Sequence, residues 1–410
     1  MEEMKALNKQ KWYPWLLCLV CLLLNFIVVG MTTTAFSTYL PFLRESIGMT
    51  YTQTSMINTI RCLTSAVCMP FTTMLYKKLS IRVGVAASCL ITALSCIMYA
   101  TASSVWMCYL AAVVMGMVFA FGNAIPIALL IRGWFNSKSG TALSIALTGS
   151  SVATTVMPPV ITYLVQTYGI AGAFYRECLL IIAGAVIVFL VIRDTPAHMG
   201  LQPYQSAEAQ SEKAVHKVNR KDMSQKAFYL FLFAMLLVGI SGAPYTSHLA
   251  LHLRTLGIDP MITAAGISVF GGTMAVGKIV LGMACDRFGA YKVNYLFISM
   301  LIVGSFMLSR LRADSGRGLY LAAAIAGVGL AVGTVGITIW CRDLSDESQF
   351  ANRVKLSQTM FMVGGLVGSP VPGIIADRTG SYGLAYAFFA VCILVVMIIV
   401  QTLYIRSAVR

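Results

Sequence analysis

Four charged side chains interrupt long apolar stretches of this 410-residue chain: Arg61, Arg176, Glu177 and Lys278. A charge at the centre of a helix in hydrocarbon costs about 2.5–3.5 kcal/mol, so each of these side chains needs a physical reason to be there. A buried cation can bind a negatively charged ligand, hold helices together, or extend its charged end to the membrane surface. Arg61 and Lys278 therefore offer recognition of anions, with structural roles as the alternative. For Arg176 and Glu177, near the outer end of their stretch, an interfacial position with local or mutual compensation is expected.

Arg61 belongs to a polar stripe. The members of the stripe, at intervals of 4, 3, 4, 3 and 4 residues, are Thr54, Asn58, Arg61, Ser65, Cys68 and Thr72. This spacing places them on one face of a helix, which must turn toward protein or water. No acidic residue lies near Arg61 in the sequence, which favours a role in anion binding. In the alternative, Asn58 and nearby carbonyl groups satisfy the guanidinium, and Arg61 only joins helices.

Lys278 precedes Asp286 by eight residues, which is about 12 Å along a helix. The same face carries Gly271, Ala275 and Gly282, whose small side chains leave room beside a long cationic chain. Lys278 either binds an anion there or extends its ammonium group to the cytoplasmic interface.

Further candidates are uncharged or titrate near neutral pH. One helix face carries Ser241, Tyr245, His248 and His252. These side chains could orient a carboxylate or relay a proton, and structural hydrogen bonding is an equal alternative. A metal site is not expected, because the two histidines lack a nearby carboxylate or thiolate. Asn25 and Asn123 are polar candidates in other apolar stretches.

Twelve apolar stretches must position these side chains. Each is long enough to cross a hydrocarbon core of about 30 Å as a helix, and the 11% of charged residues leaves little material for a soluble domain. The predicted spans, numbered 1 to 12, are 13–40, 53–76, 82–102, 106–131, 139–165, 171–193, 227–252, 262–285, 291–311, 317–341, 352–376 and 382–406. The fold class expected is an all-α polytopic membrane protein.

The net charge of +15 reports topology. With the N-terminus in the cytoplasm, 21 Lys and Arg side chains fall on cytoplasmic segments, 6 on outer loops and 3 within spans. This distribution follows the positive-inside rule and places both termini in the cytoplasm. The basic side chains therefore indicate contact with a lipid bilayer and no nucleic-acid partner.

An internal repeat relates the two halves at an offset of 214 residues. Residues 168–174 (YGIAGAF) return as residues 382–388 (YGLAYAF), with five of seven positions identical. The charged segment between the halves has almost no large apolar side chains, which is typical of a solvated linker. The predicted domains are an N-terminal six-helix bundle, 1–193, a cytoplasmic linker, 194–226, and a C-terminal six-helix bundle, 227–410.

Residues 282–289 (GMACDRFG) resemble the cytoplasmic loop signature of the major facilitator superfamily. The signature positions here are Gly282, Asp286, Arg287, Gly289 and Lys292, and they imply a role in gating. In the first-half copy, Lys77 stands where the aspartate is expected. The resemblance implies twelve helices in two pseudo-symmetric bundles, alternating access about a central cavity, and a monomer.

Two shorter segments resemble the branch of oxalate:formate antiporters and monocarboxylate transporters. They are residues 132–135 (RGWF) with the residues that follow, and residues 193–201 (RDTPAHMGL). This resemblance implies that Lys278 binds the carboxylate of the substrate. Oxalate antiporters carry a second basic residue in helix 11, where this chain has Gln358. A monocarboxylate therefore fits better than a dicarboxylate.

These features predict secondary active transport of a small organic anion, by exchange or by symport with a proton. The predicted substrate-binding residues are Lys278, Arg61, Tyr245, His248, Asn123, Asn25 and Gln358. An enzyme is not expected, because the sequence has no phosphate-binding loop and no nucleophile elbow; no cofactor is expected either. Export of amphiphilic compounds and sensing of a metabolite without transport remain alternatives. Short tails and compact loops favour a bacterial cytoplasmic membrane.

Overall fold

A computed structural model describes residues 2–136, 138–205, 223–312 and 316–408. Helical segments of the first half are Glu2–Asn25, Phe26–Thr34, Phe36–Thr38, Leu40–Ile47, Tyr51–Lys78, Ile81–Ala100, Val105–Gly122, Ala124–Trp134, Ser139–Leu147, Gly149–Val191 and Pro196–Met199. Those of the second half are Gln225–Thr255, Pro260–Phe288, Ala290–Ser309, Arg317–Leu330, Ala331–Gly333, Gly336–Leu344, Glu347–Gly368, Val371–Thr379 and Gly383–Ala408.

The twelve predicted spans are confirmed as helices. Ten helices among the described residues are long and apolar enough to cross a membrane. One of them, Thr141–Val191, runs through both span 5 and span 6. The two spans are separated at Gly169, which leaves the helical conformation (φ 71°, ψ 172°). Span 2 is the helix Tyr51–Lys78, whose polar stripe makes it less apolar than the others. The chain is an integral multi-pass membrane protein.

Several spans, among them spans 1, 4 and 10, are interrupted inside their apolar stretch. Span 1 becomes a π-helix over Phe26–Thr34, and span 10 contains a 3-10 turn at Ala331–Gly333. Span 4 breaks at Asn123 (φ −79°, ψ −149°), three residues before Pro126. Proline has no N–H to continue the helical hydrogen bonds, which explains the position of this break.

Side chains of span 2 compensate for the break in span 4. Thr72 Oγ1 donates to the carbonyl of Ala120 at 3.0 Å, and Tyr76 Oη donates to the carbonyl of Phe121 at 2.8 Å. An unsatisfied carbonyl in the hydrocarbon core costs several kcal/mol, so irregular backbone persists there only with such partners. The polar face predicted for span 2 thus binds the backbone of a neighbouring span near the C-terminal end of span 2.

A similar arrangement joins spans 1 and 5. Asn25 Oδ1 accepts from the backbone N–H of Ser150 at 2.8 Å, in the first turn of the helix that begins at Gly149. A Cβ atom on Gly149 would lie 2.1 Å from the carbonyl oxygen of Leu22. The two backbones therefore touch, and only glycine fits between them.

The described residues form two compact units. The first contains the chain up to Phe36, residues 63–153 and the residues that follow 164 as far as 205. The second contains residues 37–62, residues 154–163 and the residues from 223 onward. The second unit thus includes the N-terminal part of span 2 and a short part of span 5. The predicted division into bundles at residues 193 and 227 stays a prediction.

The residues after span 6 fold back against the first unit. Asp194 Oδ1 accepts from the N–H of Arg82 at 2.8 Å, at the start of span 3, and Trp134 Nε1 donates to the carbonyl of Arg193 at 2.9 Å. Tyr204 pairs with Phe135 in an isolated β-bridge. The motif at residues 193–201 therefore fixes the ends of spans 3, 4 and 6. Residues 206–222 of the predicted linker lie outside the described residues.

In the second unit, glycine allows spans 7 and 11 to pack backbone against backbone. Cβ atoms at Gly364 and Gly368 would lie 2.1 Å from the carbonyl oxygen of Leu236 and 2.4 Å from that of Ile240. Lipid offers no hydrophobic force between helices, so contacts of this kind provide much of the packing energy.

We expect Gly364→Ala to lower the free energy of unfolding of the detergent-purified protein by about 1–3 kcal/mol, because the new methyl group forces the two helices apart. Gly282→Ala is the matched control, since its methyl group would have no atom within 4 Å. Thermal unfolding of both variants measures the difference. Equal stability of the two variants would contradict the contact.

Candidate functional site

Lys278 lies half-buried on span 8, in the helix Pro260–Phe288. On one side of it along this face, a Cβ atom at Gly271 would lie 2.8 Å from the side chain of Thr154 in span 5. On the other side, a Cβ atom at Gly282 would have no atom within 4 Å. Lys278 therefore lies on a helix face that is in close contact at Gly271 and has space at Gly282. Its substrate-binding role stays a prediction.

Arg61 is half-buried on span 2, and its guanidinium donates to Asn58 Oδ1. This is the contact named above as the structural alternative for Arg61. The pair is local, since three residues separate the two side chains on one helix face. The substrate-binding role of Arg61 stays a prediction.

Asn58 also connects span 2 to spans 7 and 11. Its Nδ2 donates to Ser247 Oγ at 3.2 Å and to Ser369 Oγ at 3.0 Å. A second connection lies one turn away, where His248 Nε2 and Ser55 Oγ are 2.9 Å apart. His248 Nδ1 donates to the carbonyl of Pro244 at 2.9 Å, since a carbonyl can only accept. Both side chains of these connections in span 2 are buried.

A third connection lies at the first turn of span 2. The carboxylate of Asp377, in the helix Val371–Thr379 at the end of span 11, accepts from the backbone N–H of Tyr51 at 2.8 Å and of Thr52 at 2.9 Å. These N–H groups have no partner within the helix, and a carboxylate there is stabilised by the helix dipole. We call this set the span 2 cluster; its members are Ser55, Asn58, Ser247, His248, Ser369 and Asp377.

Sequence reasoning finds only part of the span 2 cluster. It singles out Asn58 and His248, and the helical period could have added Ser55, which lies three residues before Asn58. Nothing in the sequence pairs Asp377 with the start of span 2, because a backbone N–H leaves no trace in residue type.

Two further residues on the same face of span 7 as His248, namely Tyr245 and His252, are surrounded by helices of the second unit. Tyr245 is fully buried, accepts from Ser305 Oγ at 3.1 Å and stacks against Phe270. His252 is also fully buried, and its Nε2 donates to the carbonyl of Leu308 at 2.8 Å. The substrate-binding role of Tyr245 stays a prediction. In the described part of the chain, no group of three or more His, Cys, Asp or Glu side chains could hold a metal ion.

The remaining predicted residues lie in separate places. Asn25 is buried and bonded to Ser150, Asn123 lies at the break of span 4, and Gln358 is half-buried on span 11. The substrate-binding role of each stays a prediction.

In the loop signature between spans 8 and 9, the backbone conformation at the last glycine is one that favours glycine. Gly289 adopts φ +80°, which favours glycine, between two helices that end and begin there. Arg287 and Lys292 are exposed. The side chains of Asp286 and Lys77 lie outside the described part, so the gating role of the signature stays a prediction.

Comparison with known families decides the classification. The sequence model of the Major Facilitator Superfamily matches residues 22–314 and 250–409, nearly the whole chain. The chain belongs to the major facilitator superfamily. Its solved relatives agree in fold: a bacterial homologue of the human lysosomal transporter Spinster, in an inward-facing and unoccupied conformation, aligns with a TM-score of 0.74 at 13% identity and covers 97% of both chains.

Curated relatives of this major facilitator protein have low identity. Monocarboxylate transporter 12 of Homo sapiens is 23% identical over 91% of this chain and 77% of its own length. Monocarboxylate transporter 13 of Bos taurus is 24% identical over 77% of this chain and 72% of its own length. An MFS-type transporter of Gibberella moniliformis is 22% identical, and the chain spans 61% of its length. The protein is therefore a membrane transporter and not an enzyme.

We expect Asp377→Ala to lower the stability of the purified transporter by about 1 kcal/mol, because two N–H groups at the start of span 2 lose their carboxylate. Thermal unfolding in detergent measures this change. Arg378→Ala, at the next residue, is the control and should unfold at the wild-type temperature. If both variants unfold alike, the carboxylate does not support span 2.

Proposed function

We propose that this protein carries small organic anions of the monocarboxylate class across a membrane by alternating access. Transport proceeds by exchange or by symport with a proton. Lys278 pairs with the carboxylate of the substrate, and Arg61 adds positive potential nearer the outer side. The domains that move are the bundles 1–193 and 227–410, joined by the linker 194–226.

The place of Lys278 is the observation that carries the proposal. A half-buried cation inside an apolar helix is energetically unfavourable unless a group of opposite charge binds it. A Cβ atom at Gly271 on this face of span 8 would lie in close contact with Thr154, and one at Gly282 would have no atom within 4 Å. We propose that a small ligand approaches the ammonium group from the side of Gly282. One cation suits one carboxylate.

The relatives support the same class. Two of those named above are monocarboxylate transporters by name, and their similarity extends over most of this chain. At identities of 23–24% the particular substrate can differ between them. The proposal is therefore limited to the chemical class that Lys278 recognises.

Charge neutralisation gives the mechanism. An occupied site pairs the ammonium group with the carboxylate, so a smaller net charge must pass through the low-dielectric stage of reorientation. An empty site retains its full charge and reorients more slowly. This difference favours exchange of one anion for another, or co-transport with a proton.

Topology and location follow from the charge distribution. We place both termini in the cytoplasm and treat the protein as a monomer. The curated relatives named above are eukaryotic, so the bacterial cytoplasmic membrane stays a prediction from the sequence.

Counterflow in liposomes tests the proposal. The purified protein is reconstituted, and exchange of labelled formate, lactate, pyruvate, oxalate and glycerate is measured for wild type, Lys278→Gln and Lys355→Gln. We expect saturable exchange of a monocarboxylate that Lys278→Gln lowers about tenfold or more, since a hydrogen bond to a charged group is worth about 1.5–3 kcal/mol. Lys355 is exposed on span 11, so its variant should exchange like wild type.

Two outcomes would oppose the proposal. Wild-type exchange that Lys278→Gln leaves intact would return Lys278 to a structural role. Correctly inserted vesicles without exchange of any carboxylate would favour export of amphiphilic compounds, which a dye-efflux assay on the same vesicles would measure.

A further inference from the structure

Asn58 occupies a position that only an amide can fill. A guanidinium has donors and no acceptor, so the partner of Arg61 must be the carbonyl oxygen of Asn58, and the NH2 group then points away from it. That NH2 group meets the hydroxyl oxygens of Ser247 and Ser369. An aspartate would lose both donors, and a leucine would lose every contact.

The two serine hydroxyls are oriented to accept from Asn58. Ser369 Oγ donates to the carbonyl of Gly365 at 2.7 Å, and Ser247 Oγ lies 3.2 Å from the carbonyl of Pro244. Each hydroxyl proton is therefore used within its own helix, and the lone pairs remain for the amide. The hydrogen bonds form a continuous path from Arg61 through Asn58 to spans 7 and 11.

In this path, the hydrogen bond from Arg61 to Asn58 Oδ1 is the one with which an anionic ligand would compete. A carboxylate binds a guanidinium more strongly than a neutral amide oxygen does, because the bond is charge-assisted and often doubled. When the guanidinium turns to an anion, the buried Oδ1 of Asn58 loses its donor. An amide with an unsatisfied oxygen is stabilised if it rotates or moves away, and either movement breaks its bonds to Ser247 and Ser369.

We propose that Asn58 is a positioning residue that couples anion capture at Arg61 to release of span 2 from spans 7 and 11. This inference rests on the proposed function in one respect, namely that the ligand is an anion. In the observed state the span 2 cluster holds the predicted outer ends of these helices together. The anion binds the released state better, because only there is the guanidinium not shared with Asn58.

The coupling predicts a direction of change in the apparent KM that a merely structural role of Asn58 would not produce. A change that releases span 2 raises the population of the state that binds external anion, and the apparent KM falls with that population. We therefore expect Asn58→Ala to lower the external KM several-fold and also to lower the turnover number, because the outer side closes less readily. Thr59→Val is the control, since Thr59 Oγ1 donates only to the carbonyl of Ser55 in its own helix.

Cysteine labelling measures the release directly. Ser65, which lies buried one turn beyond Arg61 on span 2, is replaced by cysteine after Cys62→Ala and Cys68→Ala; the other nine cysteines are buried. A membrane-impermeant maleimide is then added outside sealed vesicles. We expect pyruvate or formate to accelerate labelling in the otherwise wild-type protein. With Asn58→Ala, labelling should be fast without any anion and should not respond to one.

A second variant keeps the test decisive if Asn58→Ala does not fold. Ser369→Ala removes one acceptor of the amide and should change labelling and KM in the same direction by a smaller factor. Wild-type labelling rates in both variants, or a higher KM in Asn58→Ala, would overturn the coupling.

Failure of the proposed function is recognised separately. If pyruvate and formate leave labelling unchanged while Lys278-dependent counterflow of the same anions persists, the coupling is wrong and the transport proposal stands. If counterflow is also absent, the anion assignment has failed. The role of Asn58 in holding span 2 is then decided by the labelling rates without ligand.

Discussion

The structure depends on the rule that no backbone polar group in the hydrocarbon core may lack a partner. Regular helices satisfy the rule by themselves, and every interruption must be satisfied by another part of the chain. Thr72 and Tyr76 bind the carbonyl groups at the break in span 4, and Asn25 binds the N–H of Ser150 in span 5. Thr72 of the polar stripe and the candidate Asn25 are therefore backbone partners, and the substrate-binding role of Asn25 stays a prediction.

Arg61 and Lys278, two of the predicted intramembrane cations, have different surroundings. Arg61 is held by Asn58 within a path of hydrogen bonds that crosses to two other spans. Lys278 lies instead on a face of small residues, between a close glycine contact and open space. A ligand at Arg61 must compete with the contact to Asn58. We therefore propose control of a conformational change for Arg61 and binding of the substrate for Lys278.

Close glycine packing and polar bonds stabilise the second unit with different consequences for motion. The contact of Gly364 with Leu236 depends on shape over a backbone surface, and it is lost only if spans 7 and 11 separate. The span 2 cluster consists of a few directional bonds that break over a short movement. A transporter needs both kinds of contact, because some helices must stay together while others separate in each transport cycle.

The sequence by itself determined the class, the twelve spans and the positions of the intramembrane charges, because hydropathy and charge act locally and the bilayer sets the length of each helix. Helical spacing also placed Asn58 and Arg61 on one face. Only the tertiary structure decided that Asp377 binds the start of span 2, that Tyr245 is fully enclosed and that His248 meets Ser55. These contacts join residues far apart in the chain, many through backbone groups that every residue type carries, so residue identity does not specify the partner.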